Sequence, residues 1–186
     1  MKKTLLTCTI IALSVMTASS TYADVKKSAT KFTIESPRFK EGDKIKPAHF
    51  WNQFGCSGDN VRPQLNWSGA PEDTKSFAIT YYDKDAPTGS GFWHWVAYDI
   101  PVGTSRIIPT KVPKGTIEAN TDIGKPGFFA PCPPSGRVHT YTFTLHAMST
   151  DKLNVPEGAS GAISRFFIEN NTIAKTKISA TAGPRK

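Results

Sequence analysis

From about residue 30 onward the chain is written in short apolar or alternating runs, separated by clusters of Gly, Pro, Asn and Asp. That is the pattern of an antiparallel β protein. Phe77–Tyr82, Phe92–Ile100 and His139–Met148 read as clear strands, and Lys31–Ser36, Gln64–Trp67 and Ile107–Ile108 as weaker ones. Because alternate strand residues share a face, Phe92, His94, Val96 and Tyr98 are expected to point together, as are His139, Tyr141, Phe143 and Leu145. Trp93 and Trp95 then pack on the opposite face. Each of the two rows is headed by a histidine, and a polar group buried there without a partner costs about 1–3 kcal/mol. The segment Ser160–Ile168 predicts a helix, with Ile163, Phe166 and Phe167 at helical spacing, and Asn171–Thr176 predicts a second, shorter one. The stretch 109–138 has no regular period. With no repeat, linker or heptad, the fold class is mainly β: one antiparallel β-sandwich with short helices near the C-terminus.

The N-terminus changes the picture of where this domain works. Lys2 and Lys3, an apolar stretch from Leu5 to Val15 and the small-residue sequence Thr21-Tyr22-Ala23 match an export signal cleaved after Ala23. Residues 1–23 are thus read as a secretory signal peptide and 24–186 as a single domain, periplasmic or secreted in a bacterium. A lipoprotein would need its modified cysteine later than Cys8. The apolar stretch is shorter than the roughly 20 residues of a membrane span, and no later segment is long and apolar enough. Cleavage removes Cys8 and leaves Cys56 and Cys132 as an even pair. In an oxidising compartment a disulfide is the expected state, closing a loop of about 77 residues worth on the order of 4 kcal/mol; two unpaired buried cysteines are the alternative.

The formal charge of +8 is spread rather than concentrated: Lys26, Lys27 and Lys31 lie early, and Lys175, Lys177, Arg185 and Lys186 late. With acids interspersed and the four tryptophans in strands and loops, this argues against a nucleic-acid site.

Three segments carry candidate chemistry: Tyr81-Tyr82-Asp83-Lys84-Asp85-Ala86-Pro87, Phe92-Trp93-His94-Trp95, and Ala130-Pro131-Cys132-Pro133-Pro134-Ser135-Gly136-Arg137-Val138-His139-Thr140-Tyr141. Together with Phe54-Gly55-Cys56-Ser57-Gly58-Asp59-Asn60 and Pro63-Gln64-Leu65-Asn66-Trp67-Ser68-Gly69-Ala70-Pro71, and in this order, they resemble the phosphatidylethanolamine-binding protein (PEBP) family. The likeness is to its bacterial YbhB/YbcL branch, often labelled Raf kinase inhibitor-like. The resemblance implies a PEBP-like Greek-key sandwich with a small anion-binding pocket at one end. It places Asp83, Asp85 and Pro87 at the family's first acidic signature, His94 at the pocket histidine after it, and Pro134, His139 and Tyr141 at the second signature. Phe92 is expected to wall the pocket. Cys56 and Cys132 also match cysteines of the exported branch. Lys84 stands where the family has proline, Thr140 where arginine is common, and 135–138 is about one residue short.

The resemblance implies a non-enzymatic binding protein for a phosphate-like or phosphoryl ligand, without a cofactor. The alternative is a protein-interaction or inhibitor module acting on a protease or a host signalling protein. Physically, a carboxylate beside two imidazoles can fix one ring's tautomer and leave the other ring and a tyrosine hydroxyl to donate to an anion, so binding is expected to strengthen as pH falls toward about 6.5. Asp85 could equally cap its turn. Tyr141 could instead be a core residue tied to Asp83. Two histidines and a carboxylate could in principle form a facial metal site, but they come from separate segments and the family is not metal-dependent. A hydrolase is the weakest reading, since no Gly-x-Ser-x-Gly elbow is present and Ser57 and Ser135 read as turn residues. His49 and His146 read as surface or edge residues.

Overall fold

The computed structural model describes residues 30–185, so the expected signal peptide and Cys8 lie outside the described residues. Two antiparallel sheets face each other. The smaller orders β1 (Thr33–Glu35), β2 (Leu65–Ser68) and β5 (Arg106–Ile107) as β1-β2-β5. The larger contains β3 (Ser76–Asp83), β4 (Phe92–Pro101), β6 (Ile117–Glu118), β7 (His139–Met148) and β8 (Thr172–Ala182) in the order β6-β4-β3-β7-β8. Strand β7 returns beside β3 after β3, β4 and β6 have run side by side, which is the Greek-key return. The clear strand expectations and the weaker ones all meet a strand of this sandwich.

Leu65, Trp67 and Ile107 of the small sheet and Ile79, Tyr81, Trp95, Phe143 and Leu145 of the large one form the core between the layers. The outer face of the large sheet carries Ala78, Trp93, Val96 and Tyr98, covered in part by the helix α1 (Gly161–Asn170) through Ile168. Burying each such apolar side chain is worth about 1.5–3 kcal/mol, so the sheet is anchored on both faces.

Three expectations are corrected. Asn171–Thr176 is not a helix but the start of β8, which pairs with β7 from His139↔Ala182 to Met148↔Thr172. Its β-branched Thr172, Ile173, Thr176, Ile178 and Thr181 suit a strand, and β8 covers what would otherwise be the open edge of β7. Helix α1 does form, with Ser160 as N-cap accepting the Ile163 N–H, but it buries Gly161, Ser164 and Ile168 while Ile163 and Phe166 stay exposed. Gly161 is required there because a Cβ would sit 2.8 Å from the Trp93 side chain. Finally, β4 does not keep one alternation along its length.

That break has a specific cause. Tyr82 pairs with Trp93 but Tyr81 pairs with Trp95, so His94 is an extra residue, a β-bulge; a second shift falls between Phe77 and Ile79. Asp99, on β4 in this second irregular stretch, has φ 55°. A bulge places two consecutive side chains opposite one partner and re-aims them. Phe92, His94 and Trp95 accordingly face the inter-sheet core while Trp93, Val96 and Tyr98 face α1. The expected row Phe92-His94-Val96-Tyr98 is therefore split, and Trp95 joins the histidine's side rather than the opposite one.

Candidate functional site

Strand β3 ends at Asp83, and its neighbours on either side deliver the rest: Asp83 pairs with Phe92 of β4 and with Tyr141 of β7. The carboxylate is only 3% exposed. Its Oδ2 lies 2.8 Å from His139 Nδ1 and its Oδ1 accepts the Asp85 backbone N–H at 2.9 Å. A carboxylate accepts, so His139 Nδ1 carries the proton and its Nε2 is left as the second, outward functional atom.

His94 is fixed by a different partner. Its Nδ1 donates to the Phe129 carbonyl at 3.0 Å, and its own carbonyl accepts the Phe129 N–H at 3.0 Å. The ring packs on Phe92 (4.9 Å between centroids), Tyr141 (5.2 Å) and Tyr81 (5.6 Å). Burial pushes its pKa down to about 4, against smaller opposing pulls from the Phe129 carbonyl and the Asp83 charge. His94 therefore stays neutral between pH 5.5 and 8, with Nδ1–H committed and Nε2 a hydrogen-bond acceptor. In this form the ring's one N–H is taken by the Phe129 carbonyl, and Nε2 is its remaining polar atom.

Tyr141 stands between the two imidazoles, 5.2 Å from His94 and 6.4 Å from His139 by ring centroids. Burial, and then the Asp83 and Tyr81 groups, push its hydroxyl well above the ordinary tyrosine range. It remains a neutral O–H, with the Asp83 carboxylate and the Cys132 backbone acting on it.

The other expected residues lie further out. Asp85 accepts the Thr140 backbone N–H (2.7 Å) and Lys84 Nζ (2.9 Å), and the Lys84 contact holds its carboxyl below the usual range. It thereby ties the β3 turn to the start of β7, in the manner of a turn-capping carboxylate. Phe92 is half-buried against His94, while Pro87 and Pro134 are exposed, with the Pro134 carbonyl accepting the Arg137 N–H at 3.1 Å. Pro131 and Pro133 are the buried prolines of that loop. Among the described residues no three His, Cys, Asp or Glu side chains form a group that could hold a metal ion.

Two supports lay outside the sequence reading. Tyr81 is fully buried, stacked on Phe143 at 3.9 Å, and it braces His94; its position two residues before Asp83 on a strand was the available signal. Phe129 belongs to an irregular loop without periodicity. That loop is held by Asn60, whose Oδ1 accepts the Ala130 N–H at 2.8 Å, by Trp51, whose N–H reaches the Pro131 carbonyl at 3.0 Å, and by a Cys56–Cys132 disulfide spanning 76 residues. His49 is exposed, as expected. His146 is not: it is wholly buried on the α1 side, its Nδ1 3.0 Å from Thr172 Oγ1, and burial lowers its pKa to about 4. Its neighbour Ala78 in the register shows why, since both occupy the sheet's covered outer face.

The chain thus combines a Greek-key sandwich with a buried carboxylate–imidazole cluster at one end of its large sheet. The family model for phosphatidylethanolamine-binding protein matches residues 35–183. YbcL of Escherichia coli (strain K12) is 39% identical over 184 residues, covering 95% of this chain and 96% of that protein. YbhB of the same organism is 42% identical over 148 residues, 76% of this chain and 93% of its own length. The crystal structure of E. coli YbcL, described as a new member of the mammalian PEBP family, superposes with a TM-score of 0.80 at 38% identity, over 84% of this chain and all of that one. A carboxypeptidase Y inhibitor solved with its cognate proteinase shares the fold alone, at TM-score 0.50 and 17% identity over 77% of this chain and 76% of that one. This chain belongs to the phosphatidylethanolamine-binding protein family, and its relatives YbcL and YbhB place it with the bacterial YbhB/YbcL-like members.

Proposed function

We propose that the protein is an exported, non-enzymatic binding protein whose Asp83–His139–Tyr141–His94 cluster receives a small phosphoryl ligand. The observation that carries the reading is the pair of fixed imidazoles: Nδ1 of His139 is bonded to Asp83 and Nδ1 of His94 to the Phe129 carbonyl, which leaves each Nε2 for a ligand, that of neutral His94 as an acceptor. A ligand matched to the His94 acceptor brings its own proton, as a phosphoryl group with a P–OH does. The second ionisation of a phosphomonoester lies near about pH 6. Binding should therefore strengthen as pH falls through that value, because the ligand gains a donor, without His94 becoming charged. Export is supported by the N-terminal pattern and by the disulfide.

The test is calorimetric titration with inorganic phosphate and O-phosphoethanolamine of wild type, His94→Ala, His139→Ala and Asp83→Asn. Loss of binding in all three variants is expected; undiminished binding in the two histidine variants would overturn the reading. The second reading, an inhibitor or protein-interaction module, draws on the fold shared with the carboxypeptidase Y inhibitor. It would be favoured if the histidine variants lose phosphate but keep every effect on a protein partner. Turnover of phosphomonoesters by wild type and not by Asp83→Asn would instead favour a hydrolase.

A further inference from the structure

A cavity of about 560 Å³ opens between the loop segments 37–49 and 59–63 and the Tyr81 and Phe143 side chains of the large sheet. None of Asp83, His94, His139 or Tyr141 lines it. Its volume lies within the range of small-molecule sites, roughly 300–1,000 Å³. Its aromatic lining is a stack, Tyr81 face to face with Phe143 at 3.9 Å between centroids, flanked by the half-buried rings of Phe128, parallel to Tyr81 within 16°, and Phe39, 6.3 Å from Phe143. The lining charges are unbalanced in favour of cations. Arg38, Lys44, Lys46 and Arg62 face Asp43 and Asp59, and Asp43 already accepts the Lys40 backbone N–H.

Arg62 makes this more than a groove with surface lysines. It is 7% exposed, its Nη2 donates to the Ile108 carbonyl, and its guanidinium lies over Trp95 at 4.7 Å with Glu118 at 3.7 Å. Its buried Nε has no hydrogen-bond partner among the described residues. A buried donor left unmade is costly, and a ligand acceptor would relieve it.

We propose that this cavity is a second ligand site, taking an aromatic anion whose ring packs against the half-buried Phe39 and Phe128 and whose acidic group meets the Arg38, Lys44, Lys46 and Arg62 cations. An aromatic ring gains from packing against Phe39 and Phe128, and the cationic lining selects the charge of the tail. Tyr81 is the shared wall: one side lines this cavity and its ring meets His94 at 61°, 5.6 Å between centroids.

The test uses three probes of one shape, 2-naphthoate, 2-naphthylmethanol and 2-naphthylmethylammonium, titrated into the mature protein with amide chemical shifts as the readout. The expected order is anion, then neutral, then cation, with about a tenfold step between the first two. Shifts should centre on Phe39, Val61 and Phe128. The double variant Lys44→Glu/Lys46→Glu should weaken naphthoate about tenfold, and Val61→Trp, at an exposed lining position, should block it. His94→Ala and His139→Ala should leave naphthoate affinity unchanged, which keeps this site separate from the phosphoryl reading. Equal affinity for the three probes, shifts confined to the Asp83 cluster, or indifference to both the lysine and Val61 variants would overturn it.

Discussion

The two faces of the large sheet each bury histidine, with different results. On the inner face His94 and His139 have their Nδ1 atoms bonded to the Phe129 carbonyl and the Asp83 carboxylate, and aromatic rings order both. On the outer face His146 bonds to Thr172, and its Nε2 is buried without a partner among the described residues. Burial lowers the pKa of His94 and His146 alike, to about 4. Burial alone therefore does not mark a site. A fixed tautomer, an adjacent carboxylate and a loop that holds the ring distinguish the inner pair, and each can be removed separately.

The largest effect should come from the loop. Cys132 precedes Pro133 and Pro134 in the segment that supplies Phe129, so Cys56→Ser/Cys132→Ser should cost on the order of 4 kcal/mol in denaturant unfolding and weaken phosphate binding as well. Asp83→Ala is next. It strips a partner from His139 Nδ1–H and from the Asp85 N–H, and about 3 kcal/mol of stability should go with it, together with phosphate binding.

Acidification acts on both faces. The folded pKa values of His94 and His146 lie below the ordinary 6.5, so between pH 6.5 and about 4 the unfolded chain binds more protons than the folded one. Stability is then full above pH 6.5 and falls as pH drops toward 4, by about 3 kcal/mol for each ring. Urea unfolding at a series of pH values should show this decline, and His146→Leu should remove part of the slope without changing phosphate affinity. A slope unaltered in His146→Leu would contradict the account of the outer face. The smallest effect is the stability of that same variant at pH 8. Removing an unpartnered Nε2, while Thr172 keeps its 2.7 Å bond to the Ile168 carbonyl, should shift it by no more than about 1 kcal/mol.

The same contrast explains what could be read from the sequence. The row His139-Tyr141-Phe143-Leu145 follows strict alternation on a regular strand, so its inward face was legible from period alone. His94 was legible as a buried histidine, but its row was not, because a bulge adds a residue without a Gly or Pro to announce it. Strand β8 was hidden by Lys175 and Lys177, which lie on its exposed side and made the segment resemble a polar helical tail. Helix α1 was visible through Ile163 and Phe166, yet these stay in solvent; the packing surface is Gly161 against Trp93, where the decisive property is the lack of a side chain. His146 had no acidic or aromatic company in sequence to mark it as buried. The carbonyl that orders His94 belongs to backbone in an aperiodic loop, a contact no side-chain pattern encodes.

The most direct test is imidazole nitrogen NMR of the mature protein between pH 5.5 and 8, recorded with and without O-phosphoethanolamine. The account predicts that His94 keeps a protonated Nδ1 and an unprotonated Nε2 across the whole range, and that the Nε2 resonances of His94 and His139 both move on addition of the ligand. A His94 ring that titrates near pH 6.5, or rings that do not respond at saturating ligand, would contradict it.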